Sequence, residues 1–403
     1  MPTAAEDLYE SPNALARHYS RFRVDDPHRL LLTGHSHQAW PDRSFDGQVR
    51  AWADAAEHAD RKWERAFAAA ARVRAGFARW LGEDAAADRY ALAANTHELV
   101  VRFLSALDLS ARPRLVTTDG EFHTIRRQLD RLAEEGVEVV RLDAADPVTL
   151  GGRLAAAVDE RTAAVLVSSV LFGSGRIVPG LGQVLEAARR HGADLLVDAY
   201  HHLNVVPFPL AAEGLDGAYV VGGGYKYAQL GEGNCFLRLP EGCRLRPVVT
   251  GWFAEFDALS RAGPGEVAYG RGGARFAGAT YDPTSHYRAA EVFDFFAERG
   301  LTPELLRAVS QHQVGLLAAA FDRLDLDPRR IRRDRGVPLP ELGGFLVLET
   351  PDAERFCLEL RRRGVMTDHR GERLRLGPAP YLSDRQLLDG VEALGEAARG
   401  ILP

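Results

Sequence analysis

The sequence predicts an α/β protein with a mostly parallel central sheet, helices on both faces, and a smaller α+β domain towards the C-terminus. Three observations support this prediction. Short apolar runs alternate with helical patterns between about residues 90 and 237. After about residue 285 the regular alternation of strands and helices gives way to a different order of elements. Apolar residues make up 46% of the 403 residues, which is enough for a large core.

A long polar helix is predicted over residues 44–80, before the first strand. The apolar runs after it have the length and boundaries of buried strands, and helical patterns separate them. Strands that alternate with helices indicate βαβ units, whose ligands bind beyond the carboxyl ends of the strands. The predicted strands are Tyr90–Ala93, Arg114–Thr117, Val137–Leu142, Ala163–Ser168, Leu195–Val197, Gly217–Val221 and Cys235–Leu237.

We expect three segments along the chain. Residues 44–284 form the large domain and residues 285–403 the small C-terminal α+β domain, with which an N-terminal segment, residues 1–43, packs. The small domain contains an arginine-rich stretch, DPRRIRRDRG, at residues 327–336. Because aspartates interleave with the arginines, we expect a solvated surface loop there.

Composition excludes several classes of protein. The formal net charge is −6 and the isoelectric point is near 6.1, so no basic surface points to nucleic acid or to an anionic membrane. No apolar run approaches the roughly 20 residues that a membrane-spanning helix needs. The acidic first residues do not resemble a secretory signal. Three cysteines without metal-ligand spacing predict no metal site and a reducing, cytoplasmic location.

Lysine is almost absent from the chain. Lys62 and Lys226 are the two lysines among 50 basic residues, and the other 48 are arginines. Arginine replaces lysine as a solvated charge, but it cannot form an imine because its guanidinium stays protonated. Lys62 lies in the charged helical stretch DRKWERAF, as a solvated residue would. Lys226 instead lies among glycines and aromatics in VVGGGYKYAQLGEG, which favours a chemical role.

Asp198 ends the strand LLVD, and Lys226 follows 28 residues later, after the next strand. A lysine that can form a Schiff base, with a strand-end carboxylate for a pyridinium N–H, is the protein half of a pyridoxal 5′-phosphate (PLP) site. The alternative is that Asp198 caps a turn and Lys226 is incidental. The scarcity of lysine favours the PLP site.

The stretch from VLVSSVLFGSGRIVPG to VVGGGYKYAQLGEG resembles the class V aminotransferase superfamily, and within it kynureninase most closely. The similarity runs from about Leu32 to the C-terminus, and D-x-x-H followed by Y-K-Y carries most of its specificity. It implies a fold type I PLP-dependent enzyme that acts on an amino acid. It also implies a homodimer whose active site is completed across the interface.

The resemblance also assigns roles at the cofactor. Lys226 binds it covalently, Asp198 holds its ring nitrogen, His201 lies near its 3′-oxygen and Tyr225 bonds its phosphate. The other implied cofactor ligands are Asn95 and Thr96 in a phosphate-binding turn, Phe122 stacked on the ring, Ser168 beside it, Trp252 at the phosphate, and Thr280 from the neighbouring subunit.

Further implied residues face the substrate. Arg375 binds the α-carboxylate, while His35 and Ser36 line the substrate entrance. Read without the family, Thr96 is simply a helix cap and Phe122 a core residue. His35 and His37 are conceivable metal ligands, but no acidic or cysteine partner lies nearby in sequence.

The substrate side of the family pattern is altered. Kynureninases carry a GNSLG-like motif near the start of the similarity, and this chain has GHSHQAWPD. Leu171 and Gly173 replace polar residues that include a tyrosine, and Ala254-Glu255 replaces Gly-His. Ile125 stands where an aspartate is expected. The pattern therefore predicts the same cofactor with an open choice of substrate.

The residues leave three classes of function to compare. We expect kynureninase-type hydrolytic β–γ C–C cleavage. The alternative is another class V reaction, by an aminotransferase, a racemase or a β-eliminating lyase. A cysteine desulfurase needs a mobile cysteine in the C-terminal region, and Cys357 lies on the apolar face of a predicted helix. A non-catalytic binding protein has no support, because Lys226 and Asp198 are both present.

Overall fold

The strands and helices follow the alternation that the sequence predicts. The computed structural model describes residues 3–260, 263 and 265–402. In chain order its strands are β1 (Leu30–Leu31), β2 (Tyr90–Ala93), β3 (Arg114–Thr118), β4 (Glu138–Leu142), β5 (Thr162–Ser168), β6 (Asp194–Asp198), β7 (Tyr219–Gly223), β8 (Cys235–Arg238), β9 (Leu346–Glu349), β10 (Val365–Met366), β11 (Asp368–Arg370) and β12 (Arg373–Leu376).

The helices occupy the intervals between strands and most of the C-terminal third. They are α1 (Arg43–His58), α2 (Lys62–Trp80), α3 (Thr96–Ser105), α4 (His123–Glu134), α5 (Pro147–Ala156), α6 (Leu181–Arg190), α7 (Thr284–Arg299), α8 (Pro303–Arg323), α9 (Ala353–Arg362) and α10 (Asp384–Ile401). None of the helices in the described part of the chain is long and apolar enough to cross a membrane.

Seven of the described strands form the central sheet, in the order β2-β8-β7-β6-β5-β3-β4. Within the run β7-β6-β5-β3-β4, each strand is parallel to its neighbours. Strand β8 is antiparallel to both of its neighbours, β7 and β2. All residues of β5 and β7 are buried, which explains why these strands are continuous apolar runs in the sequence. The predicted fold class is confirmed.

The sheet brings the ends of its parallel strands to one edge. Ser168 at the end of β5 pairs in register with Asp198 at the end of β6, and β7 ends at Gly223 beside them. Residues that follow β3 and β7 along the chain start from the same edge. The topology therefore gathers polar residues that are far apart in sequence.

Two smaller sheets belong to the C-terminal part. β9, β11 and β12 form an antiparallel sheet, and β1 pairs in parallel with β10 through Leu30 and Val365. The N-terminal segment is therefore in contact with the C-terminal part through this pairing. The domain boundaries at residues 43 and 284 stay our proposal.

The prediction of one helix over residues 44–80 is wrong in one respect. The helix is interrupted at residues 59–61, where Ala59 has a φ of +47°. The break lets both halves pack against α7: Gly47 of α1 lies against the backbone of Tyr287, and Gly76 of α2 lies against the ring of Phe293. No glycine or proline marks the break, so the local sequence carries no signal for it.

A buried ion pair stabilises the end of the sheet opposite the polar edge. Arg238 of β8 is fully buried, and its Nε lies 2.8 Å from Oε2 of Glu83. Its Nη1 also donates to the carbonyl oxygens of Asp216 and Ala218, each at 2.8 Å. Removing one partner of such a pair leaves an uncompensated buried charge.

We expect Glu83→Ala to lower the free energy of unfolding by about 3–5 kcal/mol, because the Arg238 guanidinium would stay buried without its carboxylate. The matched control is Glu134→Ala, which removes a carboxylate that pairs with Arg131 at 3.2 Å on the exposed surface. It should cost less than about 1 kcal/mol. Urea unfolding monitored by circular dichroism measures both changes, and similar losses in the two variants would contradict this role of Arg238.

Candidate active site

A cavity of about 290 Å³ opens at the polar edge of the sheet, where the parallel strands end. Its walls come from segments that follow β2, β3, β6 and β7 and from the end of β5. Eight of the residues that the sequence analysis selected line it together: Asn95, Thr96, Phe122, Ser168, Asp198, His201, Tyr225 and Lys226.

Lys226 is buried in this cavity, with 5% of its surface exposed. Its Nζ lies 2.7 Å from Nε2 of His201, and 4.6 Å and 5.4 Å from the ring centres of Tyr200 and Phe122. Burial is the main reason that the pKa of Lys226 falls to about 7, although the Asp198 carboxylate opposes the shift. A large fraction of this amine is therefore uncharged at neutral pH, which is the form that acts as a nucleophile.

The glycines before Lys226 allow the close packing that buries it. A Cβ on Gly224 would stand 2.6 Å from Cβ of Leu230, and the N–H of Leu230 donates to the Gly224 carbonyl at 2.8 Å. The N–H of Gln229, a residue with a φ of +59°, donates to the Lys226 carbonyl at 3.0 Å. The lysine is thus held in a tight loop directly after β7.

Asp198 and His201 complete the polar wall around the amine. Oδ1 of Asp198 accepts from the backbone N–H of Tyr200 at 2.9 Å. Burial raises the pKa of Asp198, and the Tyr200 N–H and Lys226 only partly offset this effect. Burial and the neighbouring Lys226 hold the pKa of His201 well below its usual range, so its ring is neutral. Nδ1 of His201 is buried with no hydrogen-bond partner among the described residues.

Helix α3 begins at the cavity, with Asn95, Thr96 and His97 in the lining. The Asn95 side chain caps the helix by accepting from the Glu98 N–H at 3.0 Å. The helix has 10 residues and its N-terminus points partial positive charge towards the cavity, as a phosphate group would require. Asn95 is the cap, one position before the helical Thr96, so reading Thr96 as the cap is wrong.

Aromatic rings cover another side of the cavity. Phe122 is half-buried, and its ring makes an edge contact with Phe172 at 5.4 Å between centres. Both rings line the cavity, so Phe122 is available to stack on a planar ligand there. Tyr225 follows the end of β7, and its ring stacks on that of His37 with 4.9 Å between the ring centres.

His35 and Arg375 meet outside the cavity lining, on the carboxylate of Asp368. Nε2 of His35 and Nε of Arg375 lie 2.7 Å and 2.9 Å from the same oxygen, Oδ1. Burial lowers the pKa of His35 to about 4, so a neutral ring makes this contact. Burial raises the pKa of Asp368, but the contacts with His35 and Arg375 together hold it well below its usual range. Ser36 donates to the Thr33 carbonyl at 3.1 Å, within a turn.

Trp252 and Thr280 also lie outside the cavity lining, but they contact each other. Nε1 of Trp252 donates to the Thr280 hydroxyl at 3.3 Å, and both residues are exposed, Trp252 at 45%. This pair is therefore available to another molecule rather than to the cavity of its own chain.

Three residues of the site escaped the sequence analysis: Glu121, Tyr200 and Asp368. Glu121 is buried directly before Phe122 and accepts from the hydroxyl of Ser168. It follows β3 as Asp198 ends β6, so its position at a strand end was a usable signal. Tyr200 follows the end of β6 by two residues, so the same signal was available for it. The contact of Asp368 with His35 joins segments far apart in the chain, which no sequence spacing reveals. Within the described residues no group of three or more His, Cys, Asp or Glu side chains is placed to hold a metal.

Comparison with solved structures defines the fold. The chain is similar to C-DES, seen as a lysine-to-alanine mutant with glycine covalently linked to its PLP cofactor: the TM-score is 0.80 at 15% identity, over 94% of this chain and 98% of that one. A cysteine desulfurase from Thermococcus onnurineus NA1 gives a TM-score of 0.77 at 14% identity, over 96% and 98% of the two chains. The fold is therefore that of fold type I PLP-dependent enzymes, as predicted.

A sequence relative narrows the resemblance. The chain is 24% identical over 304 residues to a kynureninase from Bacillus mycoides (strain KBAB4), covering 71% of this chain and 67% of that protein. The predicted kynureninase-like resemblance is confirmed by this relative. No family model matches the chain.

The buried amine of Lys226 should titrate near pH 7, well below the ordinary lysine value of 10.5, because burial disfavours its cation. It should be a cation at lower pH and a free amine at higher pH. Reductive methylation with ¹³C-formaldehyde labels both lysines of the apoprotein, and the pH dependence of their ¹³C shifts gives each titration. Lys62→Arg and Lys226→Arg each lose one signal, which assigns both lysines and separates them from a labelled α-amino group. A midpoint for Lys226 near 10.5 would show that its amine is solvated.

Proposed function

We propose that this protein is a PLP-dependent enzyme that acts on an amino acid and holds its cofactor covalently through Lys226. The observation that supports this most strongly is the buried Lys226 amine between His201 and the aromatic rings, in the cavity that Asp198 also lines. Resemblance to kynureninase and the fold shared with PLP-bearing C-DES support the same cofactor.

The residues in the cavity fit the chemical groups of PLP. Asp198 offers a buried carboxylate to a protonated ring nitrogen, and Phe122 offers a ring face. His201 has a buried nitrogen, Nδ1, for which the described part of the chain offers no hydrogen-bond partner, and this suits a site that another molecule completes. The N-terminus of α3, with Asn95 and Thr96, suits a phosphate dianion. We assign Tyr225 to the phosphate and Ser168 to the ring side of the site.

Bound PLP draws electrons from the Cα of an amino-acid substrate. The chain's own residues determine where the Cα proton goes. Because its pKa is near 7, the Lys226 amine is able to take this proton and to return it at physiological pH. Asp198 keeps the ring nitrogen protonated, and the surrounding apolar rings exclude water from the amine.

For the overall reaction we propose kynureninase-type hydrolysis. Water adds to the γ-carbonyl of the substrate, the β–γ carbon–carbon bond breaks, and the products are a carboxylic acid and alanine. The sequence relative supports this choice. Arg375 is our candidate for the substrate α-carboxylate, with His35 holding Asp368 against it and Ser36 nearby in the same N-terminal turn.

β-Elimination is the second candidate, and two observations favour it. A cystine C–S lyase, C-DES in complex with cysteine persulfide, shares the fold with a TM-score of 0.78 at 16% identity. Leu171 and Gly173 also stand where the family pattern has polar residues that include a tyrosine, so the cavity wall near Phe172 lacks that tyrosine. Desulfuration through Cys357 is disfavoured, because this thiol is buried, accepts from Thr367 and has a raised pKa.

We further propose that the enzyme is a homodimer in which Trp252 and Thr280 reach the partner's cofactor phosphate. Trp252 heads the short helix Trp252–Ala258, which leaves Trp252, Phe256 and Leu259 each about half exposed, at 44–45%. An apolar surface of this kind beside a polar pair fits an interface between subunits.

The purified enzyme should release alanine and an aromatic acid from kynurenine or 3-hydroxykynurenine, measured by ultraviolet absorbance and an alanine assay. Lys226→Ala should lower the rate at least about a thousandfold and lose the visible absorbance of covalently held cofactor. Lys62→Ala is the matched control and should keep both. Release of pyruvate and persulfide from cystine, without alanine from kynurenine, would favour the lyase. An unchanged spectrum in Lys226→Ala would refute the assignment of the lysine.

Mixing two inactive variants tests the shared site. The variant Lys226→Ala lacks the amine that holds the cofactor. The double variant Trp252→Ala/Thr280→Ala lacks the two side chains that we propose reach the cofactor phosphate of the partner subunit. When the two are unfolded together and refolded, each mixed dimer should regain one intact site, giving about a quarter of the wild-type activity. Each variant refolded alone is the control. No recovery in dimers that chromatography shows to be mixed would mean that the site lies within one chain.

A further inference from the structure

Glu121 is a buried carboxyl group that the proposed function does not use. It is 2% exposed and lies between the ends of β3 and β5. Its two oxygens accept hydrogen bonds from the hydroxyls of Thr118 and Ser168, each at 2.6 Å. Among the described residues no arginine, lysine or histidine forms an ion pair with it.

The hydrogen bonds fix the direction of both hydroxyl protons. Oγ1 of Thr118 accepts from the backbone N–H of Gly120 at 3.1 Å, so its own proton is free to point to Glu121. Distances of 2.6 Å are typical of a hydroxyl that donates to a carboxylate. Ser168 therefore turns its proton towards Glu121 and away from the cavity that it lines.

The position of Ser168 relates Glu121 to the cofactor wall. Ser168 is paired in register with Asp198, so the serine oxygen and the aspartate stand side by side at adjacent strand ends. A hydroxyl whose proton is already donated can only accept from a group in the cavity. The wall thus offers acceptors at both positions, with a second carboxyl group behind them.

Such an arrangement costs stability in the isolated chain. Burial raises the pKa of Glu121 to about 7, in spite of the hydrogen bonds from Ser168 and Thr118, and the nearby Asp198 raises it further. Two carboxylates buried away from water repel each other, and Lys226 is only partly charged near pH 7. A cationic group bound in the cavity would relieve this repulsion.

We propose that Glu121 is a positioning residue for the cofactor: it holds the Ser168 proton away from the cavity, so that Ser168 joins Asp198 as an acceptor facing the protonated ring nitrogen of PLP. This inference rests on the proposed function. It assigns to Glu121 a role in the electronic state of the cofactor, exerted through Ser168 rather than by contact with the substrate.

The test compares PLP binding and the visible spectrum of the holoenzyme at pH 8. Glu121→Gln removes the charge, and its amide can donate to Ser168 and turn the hydroxyl towards the cavity. We expect about tenfold weaker PLP binding and a shifted absorption maximum. Ser168→Ala should shift the maximum as well. The double variant should bind no more weakly than Ser168→Ala, because both changes remove the same interaction.

Thr118→Val is the matched control. It removes the other hydroxyl from the same carboxyl group but does not touch the cavity lining, so it should lower stability and leave the absorption maximum unchanged. If Glu121→Gln fails to fold, as judged by circular dichroism, the spectra of Ser168→Ala and Thr118→Val decide the matter.

The outcomes separate this inference from the proposed function. A wild-type protein that does not bind PLP would refute the proposed function. Wild-type binding with an unchanged affinity and spectrum in Glu121→Gln would refute only the role of Glu121. Equal spectral shifts in Ser168→Ala and Thr118→Val would also refute the role of Glu121. So would the absence of a shift in Ser168→Ala. In both cases the Glu121 carboxyl group would contribute to folding alone.

Discussion

The burial of one lysine amine is the constraint on which the rest of the site depends. A lysine cation is among the most expensive groups to remove from water, and this chain has arginine at nearly every other basic position. Lys226 is nevertheless enclosed by rings and by a neutral histidine. The fold tolerates the amine because burial lowers its pKa to about 7, which turns most of the desolvation penalty into the loss of a proton.

The sheet determines which groups the amine meets. Parallel strands end at one edge, so Ser168, Asp198 and Lys226 arrive there from the ends of three neighbouring strands, β5, β6 and β7. The antiparallel strand β8 and the edge strand β2 close the sheet on the side where α3 starts. At the opposite edge Arg238 pairs with Glu83, whereas Glu121 at the polar edge has no ion pair among the described residues. The polar edge therefore suits a bound ligand, whereas the charges of Arg238 and Glu83 at the opposite edge already compensate each other.

Much of this could be predicted from the sequence, and for physical reasons. Continuous apolar runs reveal buried parallel strands, and a lone lysine after such a run stands out in an arginine-rich chain. The break at Ala59 could not be predicted, because it results from the packing of two helices on α7. Asp368 could not be found either, because its contact with His35 joins distant segments. Tyr200 was within reach, because it follows the end of β6. Glu121 was within reach, since it follows a strand as the other cavity residues do.

Arg375, our candidate for the substrate carboxylate, already has partners within the chain. All three of its nitrogens are engaged: Nε and Nη2 bond Asp368, and Nη1 donates to the Phe172 carbonyl at 2.7 Å. The bond to a neutral carbonyl is weaker than the pair with Asp368. In the role that we propose for Arg375, a substrate carboxylate would take the place of the Phe172 carbonyl, while Asp368, held by His35, keeps the guanidinium oriented. Binding of substrate at Arg375 would then move Phe172, a residue that lines the cavity beside Phe122.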